Sequence, residues 1–269
     1  MPRLSLDCLT LTDTSPSDLI RSASTAGFDL VSISVNPPAA YPRQIVTRAV
    51  EVECAALFAG TGVDVHSLEV FDLVSEERIR ACRPALELGA RLGGKVAVAI
   101  HAANPDRAHV VDLLAALVEL AGEYGLGVNL EPIAMGLTRT LAEARDLIRD
   151  AGVDAGILFD TYHLMRTGGS VDHLRAIEPG LIRYVQINDG PLYVSPENMY
   201  AEAVGERLYP GEGVFPLTEL LRAAPVDIPW AIETPSLRRA QRGVSPQMQA
   251  KEAMAAMRRL LDAASCSSA

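Results

Sequence analysis

Short apolar runs, many of them β-branched, alternate along the chain with longer stretches of helical period. That alternation predicts βα units and a parallel sheet. The runs at 4–6, 30–35, 63–68, 96–100, 127–130, 155–159, 184–187 and 230–232 read as strands. Helices are expected between Ser15 and Gly27 and over 44–59, 76–92, 105–124, 141–151, 171–177, 217–223 and 246–264. Ser15-Pro16-Ser17-Asp18 supplies a cap at the start of the first, and Gly27 stops it. In the stretch 106–124, Val110, Leu113, Leu114, Leu117 and Leu120 recur at three- and four-residue steps, which lays one helix face on a sheet. Eight strands and eight helices in about 250 residues fit an α/β fold of the (β/α)8 TIM-barrel type. The competing open, doubly wound sheet opens on a Gly-rich turn, whereas here the first turn is Asp7-Cys8-Leu9-Thr10.

No linker divides the chain, so residues 1–264 read as one domain and 265–269 as a frayed tail. The longest connection, from Asp189 to Pro216, follows the seventh strand, where such loops close over substrates. Of the 269 residues 49% are hydrophobic, which excludes disorder as the main state. The 24 basic residues against 34 acidic ones leave a formal charge of −10 and no basic run, so nucleic acid is not an expected partner. Cys8, Cys54, Cys82 and Cys266 form no close pair, which points away from a zinc knuckle or disulfide scaffold and toward a reducing compartment. Asp7 and Asp13 interrupt the N-terminus where a signal peptide needs an apolar stretch, and the helix around 112–121 carries Glu119. A cytoplasmic protein with no membrane partner is expected, acting on a small molecule. A homo-oligomer remains open, because no interface stripe is evident.

In a parallel barrel the active site lies at the C-terminal strand ends. Asn36, Glu69, His101, Glu131, Asp160, Gln186 and Glu233 stand there, with Asp7 near the end of the first strand. Glu131, Asp160, Gln186 and Glu233 each end one of the last four strands, so they ring one side of the mouth. Singly, each acid reads as a helix cap or a loop charge. Together, three carboxylates repel unless a cation or protons neutralise them. A hard divalent ion with oxygen ligands answers that need, Mn2+ or Mg2+ best, with Co2+ also possible. Either His66 or Glu69 points inward near the end of the third strand, and His66 is read equally as a substrate contact or a structural histidine. His101 faces the same rim, with the same two readings. Asp189 is expected to orient Gln186 or the loop behind it, and Arg139 is either a surface charge or an anion contact.

Leu130-Glu131-Pro132, Phe159-Asp160-Thr161-Tyr162-His163, Val185-Gln186-Ile187-Asn188-Asp189, Pro210-Gly211-Glu212-Gly213 and Ile232-Glu233 resemble the xylose-isomerase-like TIM barrels. That superfamily of sugar isomerases and epimerases also contains apurinic-site endonucleases and 3-dehydroshikimate dehydratases. The resemblance to its ketose 3-epimerases implies metal ligands at Glu131, Asp160, Gln186 and Glu233, with the two glutamates shuttling a proton on either side of the substrate carbon. It implies substrate contacts at His163 and at Arg207, which stands before the Pro-Gly turn. Two departures are visible. Gln186 stands where those epimerases carry His, which is similar to some dehydroshikimate dehydratases, and the second acid of the E-P-x-N-R-x-E motif is missing after Glu131. The endonucleases need many histidines for three zinc ions, and the five here are scattered.

Three functions follow. The first is a divalent-metal-dependent isomerase or epimerase of a small polyhydroxylated keto compound, a sugar or cyclic polyol, working through a metal-stabilised enediolate. The second is a lyase of the dehydroshikimate dehydratase type, expelling water from a β-hydroxy ketone, with Arg207 or Arg139 meeting a substrate carboxylate. The third is an inactive barrel that acts as a binding subunit.

Overall fold

Eight aliphatic runs pair in parallel and close on themselves in chain order. They are β1 (Leu4–Leu6), β2 (Leu30–Ser34), β3 (Asp64–Asp72), β4 (Val96–Ile100), β5 (Gly127–Glu131), β6 (Gly156–Asp160), β7 (Ile182–Ile187) and β8 (Trp230–Ile232). The ring closes where β1 pairs with β8, Leu4 opposite Trp230 and Leu6 opposite Ile232. The computed structural model describes residues 2–36, 40–178 and 180–266. Around the barrel run α1 (Pro16–Ala26), α2 (Arg48–Thr61), α3 (Glu76–Ala81), α4 (Arg83–Arg91), α5 (Arg107–Gly122), α6 (Leu141–Ala151), α7 (Thr161–Arg166), α8 (Val171–Arg175), α9 (Met199–Gly205), α10 (Leu217–Ala223), α11 (Leu237–Gln241) and α12 (Pro246–Cys266). Among the described residues no helix is long and apolar enough to cross a membrane.

Local chemistry sets the boundaries. Ser15 accepts from the Asp18 N–H ahead of Pro16, and Gly27 ends α1 at φ 82°. Thr140 and Glu143 form a reciprocal capping box on α6. The apolar stripe of α5 is buried as its spacing predicts. The expected helix 76–92 is two helices meeting at Cys82, because Pro84 opens the first turn of α4 and cannot continue the hydrogen-bond ladder of α3. The helix expected from 44 starts instead at Arg48; residues Pro42–Gln44 form a separate 3-10 turn. At the other end α12 continues through 266, into the expected tail, while 267–269 lie outside the described residues.

The interior of the barrel holds Val98, Leu158, Tyr184 and Ala231, while the larger core fills the space between strands and helices. β3 is longer than its apolar run, and its register slips twice. The pairing with β2 steps from Val65 to Ser67, and the pairing with β4 steps from Leu68 to Phe71. Alternation therefore fails along this strand.

The connection from Asp189 to Pro216 is built rather than loose. It contains α9, and its two ends are tied through the Asp189 carboxylate. Oδ1 accepts the N–H groups of Gly190 and Phe215, and Oδ2 those of Gly211 and Gly213, all at 2.8–3.0 Å. Gly213 is required there, since a Cβ would lie 2.3 Å from Asp189 Oδ1. Asp189 thus organises the loop and makes no hydrogen bond to Gln186. Asp189→Ala strands four backbone N–H groups and is expected to lower unfolding free energy by about 3 kcal/mol in urea titration, with Asp189→Asn costing about half. A change below about 0.5 kcal/mol would show that water replaces the carboxylate.

Candidate functional site

Every strand end on one side of the barrel delivers a polar group into the mouth. Asp160 and Gln186 face each other on the last rung of β6 and β7, and Glu131 ends β5 opposite Ile100. Glu233 follows β8, its N–H bonded to the Ile187 carbonyl, and Asp7 follows β1, its N–H bonded to the Ile232 carbonyl. Glu69 arrives from β3. All six are at most 9% exposed. Above them lies a cavity of about 270 Å3 with Asp7, Glu69, Glu131, His163, Arg207 and Glu233 in its wall and Ile133, Met135 and Tyr200 nearer the loops.

One guanidinium answers these acids. Arg207 Nη1 donates to Asp160 Oδ2 at 2.7 Å and, in a shorter contact, to Glu233 Oε2. Its Nε donates to the Ala203 carbonyl at 2.7 Å, and its plane lies 4.7 Å from the Tyr162 ring centre. Asp160 also caps α7, its Oδ1 accepting from the Tyr162 and His163 N–H groups and from Asn188 Nδ2. Burial works to raise Asp160, but Arg207, His163 and hydrogen bonds with Glu233 and Asn188 hold it down to about 2. Glu131 lacks such company. Burial, reinforced by Asp160 and opposed by Arg207, pushes it up to about 8. Burial also lifts Glu69 and Glu233 well above the usual carboxylate range, and raises Asp7.

His163 completes the wall. The Ala134 N–H donates to its Nδ1 at 3.1 Å, and burial lowers the ring to about 4. The ring is therefore neutral with its proton on Nε2, which lies 3.6 Å from Glu131 Oε1. His163 offers a donor to the cavity rather than a lone pair.

The residues fit a hard divalent cation. Asp7, Glu69, Glu131, Asp160 and Glu233 are all buried, and Arg207 bonds two of them, Asp160 and Glu233. Two acceptor oxygens, Gln186 Oε1 and Glu69 Oε1, are buried without a partner. Ligand atoms of Glu131, Asp160 and His163 lie within 4.8 Å of one another. With the imidazole committed as a donor, the set becomes carboxylates and one amide carbonyl, oxygen ligands of the kind a hard divalent ion takes.

The structure brings together Glu131, Asp160, Gln186, Glu233, His163 and Arg207. Two expected substrate contacts, His66 and His101, are elsewhere, and Asp189 serves the loop, one of the two tasks expected of it. His66 lies at the register slip of β3, stacked 4.5 Å from Tyr184 inside the barrel, with Arg3 and Lys95 as its nearest influences. His101 braces a loop, its Nδ1 on Thr138 Oγ1 and its Nε2 on the Asn104 carbonyl. Asp189 clamps the long connection. Arg207 lines the cavity, but Nη1 and Nε are engaged with the protein itself. Arg139 and the other rim residues of α6 line a separate cavity beside α7 and α8. Of the two inward candidates on β3, Glu69 reaches the cavity.

A family model described as xylose isomerase-like TIM barrel matches residues 20–260. No curated protein matches the sequence. Among solved structures, a xylose isomerase-like TIM barrel/4-hydroxyphenylpyruvate dioxygenase fusion protein aligns over 99% of this chain with 21% identity and a TM-score of 0.82. This chain spans 43% of that fusion protein. The IolI protein, solved with a bound zinc atom, shares 18% identity over 99% of each chain at a TM-score of 0.77. A D-allulose 3-epimerase from Methylomonas sp., solved in complex with D-allulose, shares 18% identity over 96% of each chain at 0.73. At these identities the likeness is one of fold.

The raised carboxyls set a pH dependence. In the unfolded chain Glu131 ionises near its ordinary 4.5, while in the metal-free fold it keeps its proton to about 8. The fold then binds more protons than the unfolded chain over that window, so its stability falls as pH rises from 5 to 8. Urea midpoints in chelator are expected to be lower at pH 8 than at pH 5.5, and Glu131→Gln should flatten part of the slope. A flat wild-type profile, or a slope unchanged by Glu131→Gln, contradicts the assignment.

Proposed function

The chain belongs to the xylose isomerase-like TIM barrel family, and we propose that it is a divalent-metal-dependent isomerase or epimerase of a neutral, polyhydroxylated keto compound. The observation that carries this reading is the burial of Asp7, Glu69, Glu131 and Glu233 around one cavity, with Asp160 buried beside them on the Arg207 guanidinium.

Glu131, Asp160, Glu233 and the Oε1 of Gln186 would hold the metal. A divalent ion there supplies Lewis-acid stabilisation of the negative charge that develops when an α-proton leaves. Glu131 and Glu233 act on the substrate carbon. One carboxylate takes the proton, the C–H electron pair enters the enediolate, and the other delivers a proton to the opposite face. The high proton affinity that burial gives both groups suits them to carry protons near neutral pH. Asp160, held ionised by Arg207, is a ligand alone. His163 presents Nε2–H to a substrate oxygen, and Ile133, Met135 and Tyr200 supply the apolar part of the cavity wall.

Charge supports a neutral substrate. The two lysines, Lys95 and Lys251, are absent from the cavity wall, and Arg207 is held between two carboxylates. A carboxylate or phosphate on the substrate would meet acids. That counts against the dehydroshikimate type of lyase, although Gln186 resembles its ligand set.

Elemental analysis and proton NMR in deuterated water test the proposal together. Wild-type protein incubated with Mn2+ is expected to retain near-stoichiometric metal and to exchange the α-proton of a neutral ketose for deuterium. Glu131→Gln and Glu233→Gln are each expected to lose about a hundredfold or more of that exchange. Growth of an enone chromophore from a β-hydroxy ketone, without exchange of ketoses, would move the assignment to a lyase. Protein that takes up neither Mn2+ nor Mg2+ would leave the binding-subunit reading.

A further inference from the structure

Gln186 has two unlike ends. An amide that turns its carbonyl toward a cation coordinates it, and one that turns its NH2 repels it. Which end is left free is set by its neighbour Asp7. The Cys8 N–H donates to Ser32 Oγ at 2.8 Å, and the Ser32 hydroxyl in turn donates a hydrogen bond to Asp7 Oδ2 at 2.8 Å. The Leu9 N–H donates to Asp7 Oδ1 at 2.9 Å. Gln186 Nε2 then donates to Asp7 Oδ2 at 3.1 Å. Donors converge on both carboxylate oxygens, so Asp7 acts as an acceptor throughout and admits only the NH2 end of the amide. The other end, Oε1, is buried and makes no hydrogen bond. A buried, partnerless carbonyl oxygen on the same rung as Asp160 is costly unless a ligand completes it.

We infer that Asp7 is a positioning residue that claims the NH2 of Gln186 and so presents Oε1 as a metal ligand. This rests on the metal-binding reading above and adds to it a group from β1, outside the four ligand strands. Glutamate at position 186, with two equivalent oxygens, would need no such arbiter of ends; glutamine does.

Asp7→Asn tests this at constant shape. Its NH2 group cannot sit beside the Leu9 N–H, so it takes the Oδ2 position and faces Gln186. The amide then turns over and offers NH2 to the cation. The measurement is Mn2+ affinity by loss of the free-ion EPR signal, for wild type, Asp7→Asn, Gln186→Glu and the double variant. Each is first checked by its metal-free melting curve. With Gln186 present, Asp7→Asn is expected to weaken Mn2+ binding about ten- to a hundredfold. In the Gln186→Glu background the same change should leave affinity equal or tighter, because a carboxylate has no wrong end and loses a repelling neighbour. If Asp7→Asn does not fold, Ser32→Ala carries the same comparison, with weaker binding expected only alongside Gln186. Unaltered affinity with Gln186 present, or an equal loss in both backgrounds, overturns the inference and leaves the metal site standing. Wild type that binds no Mn2+ overturns both.

Discussion

The bond from Arg207 to Asp160 and Glu233 is the interaction on which the rest of this mouth depends. Carboxylates withdrawn from water into a common cavity repel one another, and each loses solvation worth several kcal/mol. A single guanidinium placed between two of them makes the arrangement tolerable without filling the cavity. Its planar fork reaches one acid with each of two directions of Nη1 while Nε stays on the Ala203 carbonyl. A lysine could not be oriented in this way.

Holding that guanidinium is the task of the long connection after β7. Arg207 is anchored from α9 through Ala203, and α9 is anchored in turn. Tyr162 donates its hydroxyl to the Met199 carbonyl, and Tyr41 donates to that of Val204. Glu202 takes both Nε and Nη2 of Arg166 in a bidentate pair buried on both sides. Arg166 lies over the rings of Tyr162 and Phe215, and its Nη1 reaches the Pro191 carbonyl. Tyr162 thus has Arg166 on one contact and Arg207 on another. The segment that reads in sequence as a lid is a frame for the active-site cation.

The legible part of this site has a physical reason. Glu131, Asp160, Gln186 and Glu233 each stand at or just beyond the end of a short, mostly apolar strand, where a charged or amide side chain breaks the aliphatic pattern. The barrel itself was legible for the same reason, through eight such runs and the caps between them. What could not be read lies where a rule of spacing is broken. His66 and Glu69 share a strand whose register slips twice, so alternation could not say which one reaches the mouth. His101 stands at a strand end, yet its ring nitrogens answer Thr138 and Asn104, a matter of loop shape. Arg207 was visible as a residue but not as the counter-ion, because its position depends on contacts made by α9. Asp7 was visible near a strand end, but its role needs the distance to Gln186.

The same geometry sorts the acids by task. Asp160 receives Arg207, two backbone N–H groups and Asn188, and stays charged. Glu233 shares the guanidinium but has no comparable set of donors, so burial prevails and lifts its proton affinity well above the usual carboxylate range. Glu131 has His163 Nε2 at 3.6 Å, and burial with Asp160 beside it raises its proton affinity as well. Hydrogen-bond supply, more than distance from Arg207, therefore separates a fixed anion from two proton carriers. The two carriers stand on β5 and just beyond β8, on opposite sides of the β6–β7 pair that holds Asp160 and Gln186. A substrate carbon held over that pair would have a proton carrier on each flank, which is the arrangement that moving a proton from one face to the other requires.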